Sequence, residues 1–420
     1  MPDEQLIKQC YEDYQSNLHY YQKMQKYYQG ESDVILEKSD IDRANVSKIE
    51  HNYIKFFIKK ECDFILANDV TYINNDTDNN LEEIINMQFA HWKKDHDKKI
   101  FRRSLLYGKS FELYYVNKNA EFCSRIISPL NGYPYFEDEE LKLFLHIFKK
   151  TLDKNTVYMD VYDENNIYNY KNGELISTSP HIFNGVPVGI CQVDDNEKDT
   201  LFNDLKCIQD GYTMNISDGV HELSQYRNAY LKMINLDFDD EDLSKMKRQG
   251  ILKMKGKDVD IDWLIKNING DFFMSILKEL KDNLYTLSGH INHAEAIPSN
   301  NSSLAVQARE LAMRNKTKSN IAAMHNLIMD RIRYLFRYIY VLQNKQYNYK
   351  LANVRFTESI PNDNLMISQT LSQAPEGLIS KKTARGLFSF IDNVTLEDQQ
   401  VKKELSEEEN IDLDKVDLDE

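Results

Sequence analysis

"FNGVPVGICQVDDNEKDTLFNDLKCIQDGYTMNISDGVHEL", residues 183–223, combines two kinds of secondary-structure pattern in one stretch. Its first part is a strand pattern that is broken by Gly and Pro and closed by acidic residues. In its second part apolar residues recur at helical spacing, and the stripe continues to Tyr226: Leu205, Ile208, Tyr212, Ile216, Val220, Leu223 and Tyr226. This spacing predicts an amphipathic helix with one buried face.

The residues before this stretch predict an α+β lobe in which helices precede the strands. Helical patterns run through residues 4–28, closed by Gly30, and through 52–66 and 81–107. From Ser110 the period changes to two, and "SFELYYVN", "LFLHIFKKT", "VYMDVYDE" and "NIYNYKNGELIST" have the pattern of a meander. Within the last segment, Asn172-Gly173 has the composition of a tight hairpin turn.

After the stretch, a small insert separates its helix from a second one. "NAYLKMIN" and "GILKMKG" have strand-like patterns. The second helix is predicted from near Phe272 to Gly289, and its inner face consists of Phe273, Ile276, Leu277, Leu280, Leu284 and Leu287. The predicted order is helix, strand-containing insert, helix.

A polar loop then leads into the longest helical pattern of the chain. The loop "AIPSNNSSLAV", residues 296–306, contains Ser299, Asn300, Asn301, Ser302 and Ser303. The pattern behind it, residues 304–342, has no Gly or Pro and would form a rod of about 58 Å. Residues 309–337 contain seven basic and two acidic residues, although the whole chain is acidic. A final strand and two short helices are predicted beyond it.

Charge and composition exclude several classes of protein. The formal net charge is -15, and residues 397–420 alone hold eleven acidic and three basic residues, which predicts a solvated acidic tail. The apolar runs are too short for a membrane span, and the acidic, polar N-terminus does not have the pattern of a secretory signal. Five cysteines without C-x-x-C spacing predict reduced, mostly buried thiols. We therefore expect a soluble protein that is made in a cytosol.

Nothing in the sequence predicts a catalytic or metal site. Gly108-Lys109-Ser110 ends like a phosphate-binding loop, but Arg103 stands where the earlier glycine is needed, which favours an ordinary helix-to-strand turn. The histidine pairs His91/His96 and His290/His293 have no matching ligand set, so we expect polar surface histidines and no zinc. No cofactor is predicted.

In residues 183–223 the chain resembles the portal proteins of tailed bacteriophages, specifically the group found in phages of Gram-positive hosts. The likeness is carried by the Pro-Val strand, the acidic segment after it, and Asp210-Gly211-Tyr212 and Ser217-Asp218 in the helix. It extends to "NYIKFFIKKECDFILAND" (52–69), "YNYKLANVRFTESIPNDNL" (347–365) and "GLISKKTARGLFSFIDNVTLEDQQVKKE" (377–404).

The resemblance implies an α+β portal fold with named parts along the chain. These are an α/β wing (1–203, with a return strand in 344–362), two stem helices (204–227 and 272–288) flanking a small strand-containing clip (228–271), a tunnel loop (289–303), a long helix (304–343), a short helical crown (363–396) and an acidic, disordered tail (397–420).

The resemblance also implies a ring of twelve subunits at one capsid vertex, with a central channel for double-stranded DNA in packaging and ejection. Ser299, Asn300, Asn301, Ser302 and Ser303 would line the channel. Arg309, Arg314, Lys316 and Lys318 would contact DNA or neighbouring subunits, and we expect most basic residues of the long helix to neutralise neighbouring subunits. Clip residues Lys232, Asp239, Asp240, Lys253 and Lys255 would meet the terminase large subunit and the head-tail adaptor.

Major capsid and scaffolding proteins are further implied partners, and assembly in the bacterial cytoplasm precedes residence in the virion. No enzymatic activity and no membrane contact are implied. Two alternatives stay open on the sequence: a nucleic-acid-processing enzyme that uses the basic helix 304–343 as a DNA cradle, and a monomeric scaffold that binds a partner through its acidic tail.

Overall fold

The computed structural model describes residues 3–37, 49–74, 80–194, 196, 198–226, 230–234, 260–264, 270–292, 303–357, 364–375, 377–388, 391, 394 and 397–405. Contacts divide the chain into two compact units, residues 1–297 with 308–357 and residues 298–307 with 358–420.

The N-terminal part of the larger unit is helical, and its helices are α1 (Glu4–Gln29), α2 (Asp33–Glu37), α3 (Tyr53–Ile65), α4 (Leu81–Phe89) and α5 (His96–Tyr107). Side-chain oxygens cap two of them, since Asp3 accepts from the amide of Gln5 and Asn52 from that of Lys55. Gly30 ends α1 in the left-handed conformation, at φ 87°, as predicted.

Two details of this region differ from the sequence prediction. The helix predicted over 81–107 is broken, because Trp92 turns away to stack on Phe122 and to donate its indole N–H to the Phe122 carbonyl at 3.1 Å. A short strand, β1 (Thr71–Asn74), also precedes α4. It pairs antiparallel with β12 (Ala352–Arg355), so the prediction that helices precede every strand was wrong.

The strands of the middle segment form two antiparallel sheets. The first has the order β3–β2–β9 and consists of β2 (Lys109–Val116), β3 (Phe122–Ile127) and β9 (Val188–Gln192). The second is a meander of β4 (Gly132–Glu137), β5 (Glu140–Lys150), β6 (Asp153–Tyr162), β7 (Asn166–Lys171) and β8 (Glu174–Pro180). The prediction that "SFELYYVN" belongs to the meander was wrong, since β2 pairs with the distant β9.

Close packing joins these sheets and confirms one predicted turn. A β carbon at Gly132 would lie 2.7 Å from the Cγ2 of Ile127 and 2.8 Å from the Cζ of Phe144, so the sheets meet there without room for a side chain. Asn172 and Gly173 both adopt positive φ, 51° and 88°, which gives the predicted tight hairpin between β7 and β8.

The helix–insert–helix order predicted downstream is confirmed. Helix α6 spans Leu201–Tyr226 and α7 spans Gly270–Ser288. Between them β10 (Tyr230–Ile234) pairs antiparallel with β11 (Asp260–Leu264). The predicted strand "GILKMKG" lies outside the described residues.

The predicted long helix is also present, as α8 (Ser303–Gln343), whose 41 residues make a rod of about 62 Å. Its second half is buried in the main core at Met324, Ile328, Ile332, Leu335 and Ile339. Leu342 continues this spacing but is exposed, because it lies at the end of the helix.

The smaller unit contains the two predicted short helices, α9 (Asn364–Gln373) and α10 (Lys381–Arg385). Ser380 enters α10 as a cap and accepts from the amide of Thr383 at 3.1 Å. Residues 397–405 are helical, which corrects the prediction of disorder for this part of the tail. Asp398 accounts for the difference, because it pairs with Arg385 and with Lys402 one turn later.

Over the described ranges, no helix has the length and apolar character to cross a membrane. All five cysteines are free thiols. Cys10, Cys62 and Cys191 are buried as predicted, whereas Cys207 is exposed.

Candidate functional site

Helices α6 and α7 pack against each other, and the chain leads from α7 into the polar loop and the long helix α8. A β carbon placed on Gly211 would lie 4.0 Å from the Cδ2 of Leu280, and Gly219 lies against the ring of Phe273 so closely that any side chain would overlap it. Because the later residue on α6 meets the earlier one on α7, the helices run antiparallel. Small residues at these crossings bring the backbones together.

A buried polar network fixes the base of α6 to the N-terminal helices. The Gln209 side chain accepts from the amide of Ile54 at 3.0 Å and donates to Glu50 at 3.0 Å. Beside it in the sequence, the Asp210 carboxylate accepts from Tyr27 at 2.9 Å and pairs with Lys206 at 2.7 Å. Buried polar groups that satisfy one another hold a specific geometry.

The end of α7 is anchored before the polar loop begins. Gly289 turns the chain in the left-handed conformation, at φ 69°. His290 is buried against the ring of Phe57, with 4.6 Å between ring centroids, and its Nε2 lies 3.1 Å from the Phe57 carbonyl oxygen. From the long helix, Lys316 donates to the Ser288 carbonyl at 2.8 Å. A cation therefore caps the negative end of α7.

Burial and the nearby ammonium of Lys316 lower the pKa of His290 to about 4. Its two ring nitrogens both face carbonyl oxygens, since Nδ1 lies 2.9 Å from that of Ser288. A neutral imidazole can donate to only one of them. The prediction of a polar surface histidine was wrong here.

Because His290 is buried with a lowered pKa, the stability of the fold depends on pH at this end of α7. Between about pH 6.5 and pH 4 the unfolded chain binds a proton that the folded His290 excludes, so the free energy of unfolding falls as the pH falls through this window. The loss is about 3 kcal/mol. Chemical unfolding curves at several pH values should show that His290→Gln removes this part of the pH dependence. The exposed His19→Gln should leave it in place, and an unchanged slope in His290→Gln would contradict the assignment.

The first part of the long helix is attached to α3. Asn320, which is buried, donates to the fully buried Glu61 carboxylate. Burial raises the pKa of Glu61, while Lys316 and Asn320 oppose that rise. Asn320 ends the polar stretch "MRNKTKSN", residues 313–320, and it therefore meets a carboxyl group inside the fold.

Further along, Arg331 joins the long helix to the β3–β2–β9 sheet. The side chain is 1% exposed, and it donates to the Glu112 carboxylate at 2.9 Å and to that of Asp97 at 2.7 Å. His96 lies 2.7 Å from the other Glu112 oxygen. Burial alone would raise the pKa of Glu112, but Arg331 and His96 outweigh it and hold the pKa at about 2.

These contacts engage three basic residues of the long helix within their own chain. Arg331 is paired with Asp97 and Glu112, Arg333 pairs with Asp330 at 3.1 Å, and Lys316 caps α7. The expectation that most basic residues of this helix neutralise neighbouring subunits stays a prediction. His96, expected on the surface, is half-buried in the Arg331 network.

Most of the predicted site residues lie outside the described part of the chain: Ser299, Asn300, Asn301, Ser302, Asp239, Asp240, Lys253 and Lys255. Ser303 is the first residue of α8, which also contains Arg309. Lys232 lies opposite Asp262 in the β10–β11 register. Arg314 is half-buried and Lys318 is exposed.

The remaining chemical candidates are structural. Gly108 ends α5 at φ 82° and Lys109-Ser110 begin β2, which confirms a helix-to-strand turn. His91 is exposed and His293 lies outside the described residues. Over the residues that are described, no three His, Cys, Asp or Glu side chains are grouped so that they could hold a metal ion.

Comparison with known families decides the class of the protein. Residues 7–410 match the family model described as "Phage portal protein, SPP1 Gp6-like". The chain belongs to the phage portal protein family. Its portal function therefore places it at a capsid vertex of the virion, in a multimeric capsid-associated assembly.

Other comparisons add less. No curated protein matches the portal chain. Among solved structures, a chain of "Neck of empty GTA particle computed with C6 symmetry" is similar over 84% of this chain and 93% of its own length, with a TM-score of 0.49 and 9% sequence identity.

Sequence reasoning missed the residues that anchor the portal's helices. Gln209, His290 and Arg331 act through partners that lie 155, 233 and 219 positions away, so no local pattern marks them. One signal was present: Arg331 lies on the apolar face of α8 beside Ile332, where a charged residue needs a buried partner.

Proposed function

We propose that twelve portal subunits close into a ring around a channel through which double-stranded DNA enters and leaves the capsid. The observation that supports this most is the antiparallel pair α6 and α7, which has a small strand pair at one end and at the other an anchored turn leading to the polar loop. In this proposal residues 204–227 and 272–288 are the stem, and residues 289–303 are the tunnel loop.

The loop chemistry suits a channel that must pass any sequence. Ser299, Asn300, Asn301, Ser302 and Ser303 offer short, uncharged side chains. Each Lys or Arg contact with a phosphate would add salt-dependent affinity, with a slope near 0.9 per phosphate for duplex DNA, and would slow movement. Uncharged side chains at the narrowest point avoid that affinity.

Of the four basic residues proposed to contact DNA or neighbouring subunits, Lys318 is the best placed. Its side chain is exposed, and its amine lies 3.4 Å from the Asn315 side chain one turn earlier. Lys316 is engaged with α7, and Arg314 is half-buried. Arg309 precedes them on the same helix, nearer to the tunnel loop.

The other parts keep their proposed roles. Residues 228–271 form the clip, where Lys232, Asp239, Asp240, Lys253 and Lys255 meet the terminase large subunit and the head-tail adaptor. Residues 1–203 and 344–362 form the wing, and residues 363–396 form the crown. Major capsid and scaffolding proteins are the remaining partners, and assembly takes place in the host cytoplasm. The portal acts as a structural channel and not as an enzyme.

Bulky side chains in the tunnel loop test this function. We expect the double variant Asn300→Trp/Asn301→Trp to form rings and capsids in normal number, because the change lies in a polar loop. DNA-filled heads should be lost, because the indole rings obstruct the channel. Electron microscopy of particles counts rings, empty heads and filled heads separately.

Asn119→Trp, in an exposed turn of the wing, is the matched control and should package normally. Normal filling by the loop variant would show that residues 300 and 301 do not line the path of the DNA.

A further inference from the structure

Neither edge of the β3–β2–β9 sheet is continued by a further strand in the described part of the chain, since β3 and β9 each pair only with β2. At the β3 edge, side chains of the same chain donate to two carbonyls, Trp92 to that of Phe122 and Arg103 to that of Ile126. A cavity lies along each of these edges, and the two cavities differ in charge.

The cavity beside β3 is basic. It has a volume of about 690 Å³ and lies between β3, α5 and the end of α1. None of its described lining residues is acidic, and five are cations: Lys55, Lys99, Arg102, Arg103 and Arg125. Of these, Lys99 pairs with Asp95, which is not part of the lining, at 2.6 Å. Arg103 donates to the Ile126 carbonyl of β3 at 2.8 Å, while Arg125 is exposed at the rim. This edge presents positive charge within a net acidic chain.

The cavity beside β9 is acidic. It has a volume of about 980 Å³ and lies between β9, the β4–β5 turn and α8. Five carboxylates line it: Glu139, Glu140, Glu164, Asp194 and Asp330. Its two cations are paired locally, Lys142 with Glu140 at 2.5 Å and Arg333 with Asp330 at 3.1 Å.

One part of the acidic cavity's wall on α8 is low. Ser319, Ala322 and Ala323 line it there with short side chains, whereas larger residues, Asn326, Asp330, Arg333 and Tyr334, line it further along the helix. A second protein surface can therefore approach the strand closely without displacing bulky residues.

Opposite charges on two edges of one sheet define how copies can meet. Contact between identical edges would place like charges together, which costs several kcal/mol. Contact between different edges places the cations of one copy against the carboxylates of the next. Such a head-to-tail contact leaves one free edge at each end, so it continues from copy to copy until the rotation closes a ring.

We propose that the basic edge at β3 of one portal subunit docks on the acidic edge at β9 of its neighbour. This pairing rests on the proposed ring and specifies the two surfaces that build it. Second copies of this chain occupy both cavities, and the charge pattern sets the direction of the ring.

Charge reversal tests the pairing. The basic-edge variant is Lys99→Glu/Arg125→Glu and the acidic-edge variant is Glu139→Lys/Glu164→Lys. All four side chains are exposed, so the fold of the subunit should tolerate them. At low ionic strength each variant alone should lose rings by more than about tenfold, because its reversed edge meets a like-charged one. Mass photometry measures the ring fraction.

Two rescues separate lost contacts from lost folding. An equimolar mixture of the two variants should regain rings, since each contact then joins opposite charges. A chain carrying all four substitutions should assemble by itself for the same reason. Misfolded subunits would be rescued in neither case.

The outcomes distinguish a failure of the edge pairing from a failure of the proposed ring. Rings formed by either two-substitution variant at the level of the unaltered chain, or a failure of both rescues by variants whose circular dichroism spectra match that of the unaltered chain, would overturn the edge pairing. Unaltered chain that forms no rings would overturn the proposed ring itself. Normal rings together with weakened DNA retention in the basic-edge variant would assign that cavity to nucleic acid and would also overturn the pairing.

Discussion

Replacing Arg331 with methionine should lower the free energy of unfolding of the subunit by about 3–5 kcal/mol, the usual cost of removing one partner from a buried ion pair. Methionine fills much of the volume, but the Glu112 carboxylate, which is 0% exposed, keeps its charge and loses the guanidinium at 2.9 Å. Asp97 also loses its ion pair with Arg331, at 2.7 Å. Denaturant unfolding monitored by circular dichroism measures the change.

Arg333→Met is the matched control, since Arg333 lies two positions further along the same helix. Its pair with Asp330 is half exposed, and such pairs contribute about 0–1 kcal/mol. Equal stability of the two variants would mean that the buried pair contributes no more than the surface one.

The Leu284→Asp substitution should have an effect of similar size on α7. Leu284 is 0% exposed and packs in the main core of the larger unit. An unpaired carboxylate there costs several kcal/mol, so we expect α7 to detach and rings to be absent. Size-exclusion chromatography with light scattering gives the oligomeric state, and circular dichroism gives the fold.

Leu287→Asp, three residues later, provides the comparison. Leu287 is 56% exposed in the subunit, which corrects the prediction that it faces inward. Its substitution should leave the fold of the subunit unchanged, so any loss of rings in that variant would place residue 287 at a contact between copies. A stable, assembling Leu284→Asp variant would show that α7 does not depend on this contact.

The features predicted correctly from sequence are those set by local rules. Helical spacing and Gly289 located α7, the absence of Gly and Pro in 304–342 located α8, and Asn172-Gly173 fixed a hairpin. Each of these depends on residues within a few turns of one another.

What sequence could not provide is the choice among distant partners. The strand β2 has the alternation of a meander strand, yet it pairs with β9 some eighty positions later. The carboxylates that receive Arg331 come from α5 and β2, more than two hundred positions earlier, so the sequence did not show that this residue is paired within its own chain. Periodicity shows which face of a helix or strand a residue occupies, but it does not show which distant side chain that residue will contact.

The Arg331 pair also bears on the order of events during synthesis. Glu112 leaves the ribosome long before its guanidinium partner, which follows 219 positions later. Until α8 is made, burying this carboxylate in its charged form lacks the Arg331 contact that compensates for lost hydration. The final packing of β2 therefore waits for a helix that is synthesised near the end of the chain.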